Sequence, residues 1–343
     1  MNPSTMQTWT LTAHGEPSSV LELQQRDKPE PGANQVRIHC EGFGLNYADV
    51  MAVKGLYREA PPLPSVLGYE VVGRVEAVGS GSPATLIGKR VVAMTRFGGY
   101  AQYAITDHRA MAEIPEHMPI GEAAALATQG CTAWYAARVL CLLRKGERVL
   151  VHSAAGGVGH LLVQLAVAQG CEVFAVASGK EKGDYLRGLG AKHVIDRTRG
   201  DYAAQVRTLL KGNTLDAIFN AVGGSSFKKD MRMLGGGGRI VLFGGAERGG
   251  IGLFGTLRFV WRMGLVVPIF LMMRSQSILG LNMLRISEGH PQLLAECQHA
   301  VVRAYREGTL KPRVHKEYPA TELPLALADL ESGRTVGKVA LRW

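Results

Sequence analysis

Two styles of hydrophobic patterning divide the chain. Short β-rich runs at Val36–Cys40, Tyr69–Val78 and Arg90–Met94 stand between glycines and prolines, and runs of this kind predict strands. Gly68, Gly73, Gly79 and Gly81 punctuate the same stretch, as expected of a small, strongly bent sheet or barrel. A helical region then opens at Gly121 and runs to about Leu143. From Arg148 apolar strands alternate with amphipathic helices: Arg148–His152 then Val158–Gln169, and Glu172–Ala177 then Lys182–Leu189. Further strands are predicted at His193–Ile195, Asp216–Asn220 and Arg239–Phe243. Alternation of this kind predicts a parallel, doubly wound sheet. Helix resumes at Pro291–Arg306, and the closing strand Gly337–Trp343 is expected to return to the first region. The predicted class is α/β, a β-rich domain plus a doubly wound one.

One stretch fits neither style. Leu257–Met273 is mostly apolar, with Arg258, Arg262 and Arg274 spaced along it. Its uninterrupted apolar run, Met263–Met273, is 11 residues, against about 20 needed to cross a bilayer, and Pro268 argues against a single straight helix. Two readings stand: a segment buried or facing a second subunit, or an in-plane membrane contact helped by the arginines.

The predicted strand Arg148–His152 leads through Ser153 directly into Ala154-Ala155-Gly156-Gly157-Val158-Gly159. Ala154, Gly156 and Gly159 occupy the three positions of a G-x-G-x-x-G pattern, with alanine first. Small residues are needed there because a dinucleotide pyrophosphate must approach backbone amides at a helix N-terminus. Strand, loop, helix and second strand follow in order, so Ala155, Gly156, Gly157, Val158 and Gly159 read as a cofactor loop rather than a lone glycine pattern. The second strand ends in Ser178, 19 residues after Gly159, where NAD sites usually place an acid about 20 residues on. Ser178 and Lys182 suit a ribose 2′-phosphate, which a carboxylate would repel. NADPH is therefore the expected cofactor.

Composition adds little and excludes some classes. The chain has 343 residues, 46% hydrophobic and 20% charged, with 43 glycines, ordinary for a two-domain globular enzyme apart from the glycine. A formal charge of +10 can signal nucleic acid. Lysine and arginine are scattered with no run of five, so no nucleic-acid partner is expected and an anionic cofactor accounts for the charge. Cys40, Cys131, Cys141, Cys171 and Cys297 are odd in number and form no C-x-x-C pair. Reduced thiols in a cytoplasmic protein are expected, and the N-terminus shows no signal-peptide pattern.

At these residues the sequence resembles the quinone oxidoreductase branch of the medium-chain dehydrogenase/reductase superfamily. The resemblance runs end to end and includes Gly44-Leu45-Asn46-Tyr47-Ala48-Asp49, Gly55-Leu56-Tyr57, the alanine–glycine loop, Leu242-Phe243-Gly244 and Val336-Gly337-Lys338-Val339. Within that branch it is similar to the vesicle amine transport protein group, in Leu63-Pro64 before Gly68, in Val151-His152 and in the apolar insertion after Gly244. The resemblance implies a GroES-like catalytic domain from residues 1–123 and 284–343, a Rossmann domain from residues 124–283, and a homodimer.

It further implies that Asn46 and Tyr57 line the cleft near the nicotinamide and that Thr132 sits beside its ribose. Phe243, Gly244 and Lys338 would contact the cofactor's other end or its pocket wall. Zinc-dependent relatives carry Cys at or next to Asn46, His where this chain has Tyr69, and a four-cysteine lobe near Arg96–Tyr103, which here lacks cysteine. No metal is therefore expected. His152 lies in a core strand without a carboxylate or His at ligand spacing and reads as structural, and Cys131 as a small buried hydrophobe. The implied activity is reduction of quinones or α,β-unsaturated carbonyls by NADPH, with Asn46 and Tyr57 catalytic. The alternative is a non-catalytic NADPH-binding protein associated with a membrane or partner.

Overall fold

The computed structural model describes residues 4–247 and 253–343. Contacts divide the chain into two units, Met1–Cys131 with Met283–Arg306 and Pro312–Trp343, and Thr132–Asn282 with Glu307–Lys311.

The first unit holds β1 (Thr5–Leu11) and β2 (Leu21–Asp27), an antiparallel hairpin, and a seven-stranded sheet. That sheet comprises β3 (Gln35–Leu45), β4 (Glu70–Val78), β5 (Arg90–Met94), β6 (Tyr103–Asp107), β7 (Met111–Glu113) and, from the end of the chain, β14 (Val314–Pro319) and β15 (Lys338–Arg342). Its order is β14-β15-β3-β4-β5-β7, with β6 also on β3. Along β3, Val36, Ile38, Cys40 and Phe43 are buried while His39 is exposed, the alternation of a sheet with one face on a core. The β3–β4 register shifts twice, between Arg37 and Ile38 and between Cys40 and Gly42, and such bulges bend a sheet. β15 runs antiparallel to β3, with Val339 opposite Leu45 and Ala340 opposite Gly44. This pairing delivers Lys338 to the end of β3.

The second unit is built on β8 (Arg148–Val151), β9 (Glu172–Ala177), β10 (His193–Asp196), β11 (Leu215–Asn220), β12 (Leu234–Leu242) and β13 (Ser277–Gly280). All pairings are parallel, in the order β10-β9-β8-β11-β12-β13. Counted from β8 this is the 3-2-1-4-5-6 order of a dinucleotide-binding sheet, with the reversal between β9 and β11. Val149, Leu150, Val151, Ala217, Ile218 and Phe219 are all fully buried, because both faces of a parallel sheet are covered.

Every strand anticipated from patterning is present within a few residues, whereas β1, β2, β6, β7, β13 and β14 were not anticipated. β2 is largely polar and β13 has four residues, so neither carries a periodic signal. The helical stretch after Gly121 is interrupted: helix at Ile120–Ala125, a wider π turn at Leu126–Gly130, helix at Cys131–Trp134 and a second π turn at Tyr135–Leu140.

The apolar segment forms two helices, Leu253–Met263 and Pro268–Arg274. The expectation that it is buried within the fold is corrected. Trp261 is 83% exposed and Leu265 97%, and Val260, Phe270, Met272 and Met273 are exposed as well. Phe259 packs towards Gly223 and Arg262 pairs with Glu247 at 2.6 Å, fixing the inner side. Among the described residues no helix is long and apolar enough to cross a membrane.

Candidate active site

The carboxyl edge of the parallel sheet gathers most of the residues singled out for the cofactor. β8 ends at Val151, and after His152 the chain turns through Ser153, whose φ is +49°. The loop Ala154–Val158 then enters the helix Gly159–Ala168. A Cβ at Gly159 would lie 2.2 Å from the Ser153 carbonyl oxygen. Only glycine lets the helix start this close to the strand, which leaves the loop amides at the helix N-terminus to face an anion. Gly156 donates its amide to Ser153 O at 2.9 Å, closing the turn. Phe243 and Gly244 follow β12 at the same edge, where the Phe243 amide donates to Asn220 O at 3.2 Å. Gly244 packs against Ala221, whose carbonyl would lie 2.5 Å from an added Cβ.

Ser178 follows β9, and Lys182 is on the first turn of the helix Lys180–Gly188. Burial and, secondarily, the charge of Arg197 pull the Lys182 ammonium below its ordinary pKa. A second cation beside Lys182 was not anticipated, because Arg197 follows β10 in a short turn of no recognisable pattern. Asp196 also lies here, but its Oδ1 accepts from the Gly179 amide and from Thr198 N and Oγ1 at 3.2, 3.0 and 2.7 Å. Lys182 and Arg197 thus stand within electrostatic reach of each other past the ends of β9 and β10. Thr132 is buried in the helix Cys131–Trp134.

Behind this edge lies a polar cluster that the sequence did not show. His152 has a carboxylate partner after all: its Nε2 is 2.9 Å from Asp230 Oδ2, across 78 residues of sequence. Asp230 also accepts from Tyr202 Oη at 2.8 Å and Asn220 Nδ2 at 2.6 Å. Asn220 Oδ1 in turn accepts from the Val222 and Gly223 amides at 2.7 and 2.8 Å. The cluster ties the residue before the glycine loop to the loop after β11.

The first unit holds a second buried cluster around Asn46. Asn46 precedes the helix Tyr47–Val53, and its backbone amide donates to Asp49 Oδ2 at 2.8 Å, half of a capping box. Its side chain donates from Nδ2 to Glu70 Oε1 at 3.0 Å and accepts at Oδ1 from Gln129 Nε2 at 3.1 Å and Lys338 Nζ at 3.3 Å. Lys338 also donates to Leu45 O at 3.0 Å and pairs closely with Glu70. Glu70 Oε2 accepts the Thr128 amide at 2.9 Å, presented by the π turn. Glu70 and Lys338 are both fully buried. Burial pulls the ammonium below its usual pKa and Glu70 pulls it back.

Lys338, expected at the cofactor or its pocket wall, therefore spends its three donors on Leu45, Asn46 and Glu70. The close β3–β15 approach that permits this needs Gly44, whose Cβ would meet Lys338 Cε at 2.3 Å. Tyr57 is half-buried and meets Tyr69 edge to face, with ring centroids 6.0 Å apart. Cys131 is buried and its thiol pKa is pushed well up by desolvation. Among the described residues no group of three or more His, Cys, Asp or Glu side chains is arranged to hold a metal.

Comparison with known proteins places this geometry. The alcohol dehydrogenase GroES-like domain family matches residues 32–116, and the zinc-binding dehydrogenase family matches residues 157–298. The synaptic vesicle membrane protein VAT-1 homolog of Rattus norvegicus is 32% identical over 94% of this chain and 80% of its own. A mycocerosic acid synthase-like polyketide synthase of Mycobacterium tuberculosis is 29% identical over 94% of this chain, which spans 15% of that much longer protein. Among solved structures, a quinone oxidoreductase of Pseudomonas syringae superposes with a TM-score of 0.86 at 28% identity, covering 98% of this chain and 100% of that one. A mycobacterial protein complexed with NADPH superposes with a TM-score of 0.85 at 29% identity, over the same shares of the two chains.

Proposed function

From the premise that the chain belongs to the medium-chain dehydrogenase/reductase superfamily, as a VAT-1-like member of its quinone oxidoreductase branch, we propose that it is a zinc-independent, NADPH-dependent reductase of quinones or α,β-unsaturated carbonyls. The observation that carries this reading is the carboxyl edge of the parallel sheet, where the Gly159 turn opens the helix N-terminus and Lys182 and Arg197 stand close together past the end of β9. The loop Ala155–Gly159 would hold the pyrophosphate, Ser178 and Lys182 the 2′-phosphate, and Thr132 the nicotinamide ribose, with Phe243 and Gly244 at the cofactor's other end or its pocket wall. Bound there, NADPH supplies the hydride. The protein's part is alignment and a place for charge that develops on the acceptor oxygen.

Asn46 uses one of its two amide N–H groups on Glu70, and the other is assigned to the acceptor oxygen. Tyr57 is the second donor and the proton source. Lys338 holds Asn46 and Glu70 in place instead of touching the cofactor. The same ammonium supports zinc independence, because a buried cation beside Asn46 opposes a divalent ion where metal-dependent relatives bind one. We place the protein in the cytoplasm as a homodimer, β13 being an edge strand of its sheet.

The test is an acceptor panel. NADPH is oxidised by quinones and enones but not by plain ketones or alcohols, since a simple carbonyl needs a metal or strong acid to accept hydride. Tyr57→Phe lowers kcat by about 10²–10³-fold, the range for one lost oxyanion donor, with NADPH affinity intact. If no quinone or enone is turned over, a non-catalytic NADPH-binding protein is the reading that remains, and the exposed face around Trp261 and Leu265 then points to a membrane or partner contact.

A further inference from the structure

Several buried side-chain oxygens of the first unit find no hydrogen-bonding partner among the described residues, and three of them, Asp49 Oδ1, Tyr69 Oη and Tyr100 Oη, belong to side chains that bear on one another electrostatically. Asp49 and Tyr100 are fully buried and Tyr69 nearly so. Unpaired buried polar groups cost free energy, and each calls for an explanation. Phe43 and Phe97 pack the two tyrosine rings in place, at centroid distances of 4.9 Å from Tyr100 and 5.2 Å from Tyr69. The Tyr69 hydroxyl lies close enough to Tyr57 to affect its ionisation, the Asp49 carboxyl bears on Tyr69, and Tyr100 lies close enough to Asp49 to affect the carboxyl, without bonds of normal geometry. Three polar partners are what one buried water takes up.

We propose that Asp49 and Tyr69 are the proton store behind Tyr57, linked with Tyr100 by one buried water. The proposal rests on the reading of Tyr57 as proton source. Tyr57 gives its phenolic proton to the acceptor oxygen, the Tyr69 hydroxyl proton passes to the Tyr57 oxygen, and the Asp49 carboxyl proton passes to Tyr69 through the water. Four O–H bonds form as four break, one of each on the relaying water, one proton is consumed, and Asp49 is left as carboxylate. The electron pair comes with the hydride of the proposed reaction. Solvent reloads Asp49 through Tyr57, the half-buried end of the row, between turnovers. Neither Asp49 nor Tyr69 touches the acceptor; both act through Tyr57.

The charge environment suits a store. Desolvation raises the Asp49 carboxyl to about 7, with Glu70 adding to the rise and the Asn46 amide, Tyr100 and Lys338 opposing it. Glu59 and Arg285, a surface pair at 2.8 Å, bear on Tyr57 with opposite signs. Because the folded carboxyl pKa is raised, the proton is held below about pH 7 and lost above it. Proton-limited turnover therefore falls as pH rises through that value.

Asp49→Asn keeps an oxygen for the Asn46 amide and removes the titration. Its kcat is expected to drop about 100-fold, at the lower end of a general-acid contribution, and to lose the fall near pH 7 while KM for NADPH holds. Tyr69→Phe keeps Asp49 yet breaks the row, and should show the same flattened profile. Infrared titration of the cofactor-free protein reads the store directly: a protonated-carboxyl band present near pH 6, lost above neutrality and missing in Asp49→Asn. An unchanged pH profile in Asp49→Asn and Tyr69→Phe, or no such band in the wild type, overturns the proposal. If the wild type reduces no acceptor, the reductase reading fails by itself, and the infrared band still decides whether Asp49 stores a proton.

Discussion

The two buried polar clusters differ in one respect. Around Asp230 every polar group is spoken for: His152, Tyr202 and Asn220 donate to the carboxylate, and Asn220 passes the network to the Val222 and Gly223 amides. Around Glu70 and Lys338 the ion pair is held on all sides, but Gln129 Oε1 beside it and Asp49 Oδ1, Tyr69 Oη and Tyr100 Oη in the adjoining layer find no partner among the described residues. A filled network fixes geometry, and a partly filled one retains capacity for a proton or a water at a cost in stability. The first cluster reads as an anchor for the cofactor edge, the second as machinery.

The largest expected effect comes from breaking the ion pair. Lys338→Met leaves Glu70 charged and unpaired in the core, and should cost about 3–5 kcal/mol of stability, read by denaturant midpoint. Adding Glu70→Gln should restore part of it, because the uncompensated charge is then gone. Next in size, Asp230→Leu leaves the His152, Tyr202 and Asn220 donors without their acceptor and should cost about 1–3 kcal/mol. Its kcat should keep the wild-type pH profile; a flattened profile would erase the distinction between anchor and machinery. The smallest effect is a surface control. Lys180 pairs with Asp184 at 2.5 Å, with its own side chain 87% exposed, and Lys180→Ala should change stability by no more than about 0.5 kcal/mol.

Much of the second unit was legible because its signals are local. A glycine loop between a strand and a helix, and the alternation from Arg148 to Phe243, need only neighbouring residues to be recognised. The exposed face at Leu257–Met273 was visible as an apolar run, but its direction was not, since Phe259 and Trp261 are alike in pattern and differ only in what packs against them. His152 shows the limit most plainly: its partner is 78 residues away on another element.

The sequence by itself therefore determined the α/β class and the strand-loop-helix built for a dinucleotide. Tertiary structure alone decided that Lys338 crosses 268 residues to pair with Glu70, that Arg197 stands beside Lys182, and that Asp49 bears on Tyr69 and Tyr100 within the core. The physical reason is that periodicity and turn chemistry act over a few residues. Pairing between buried polar side chains is set by where strands such as β15 return to the sheet, and by the desolvation that makes an unmatched partner costly.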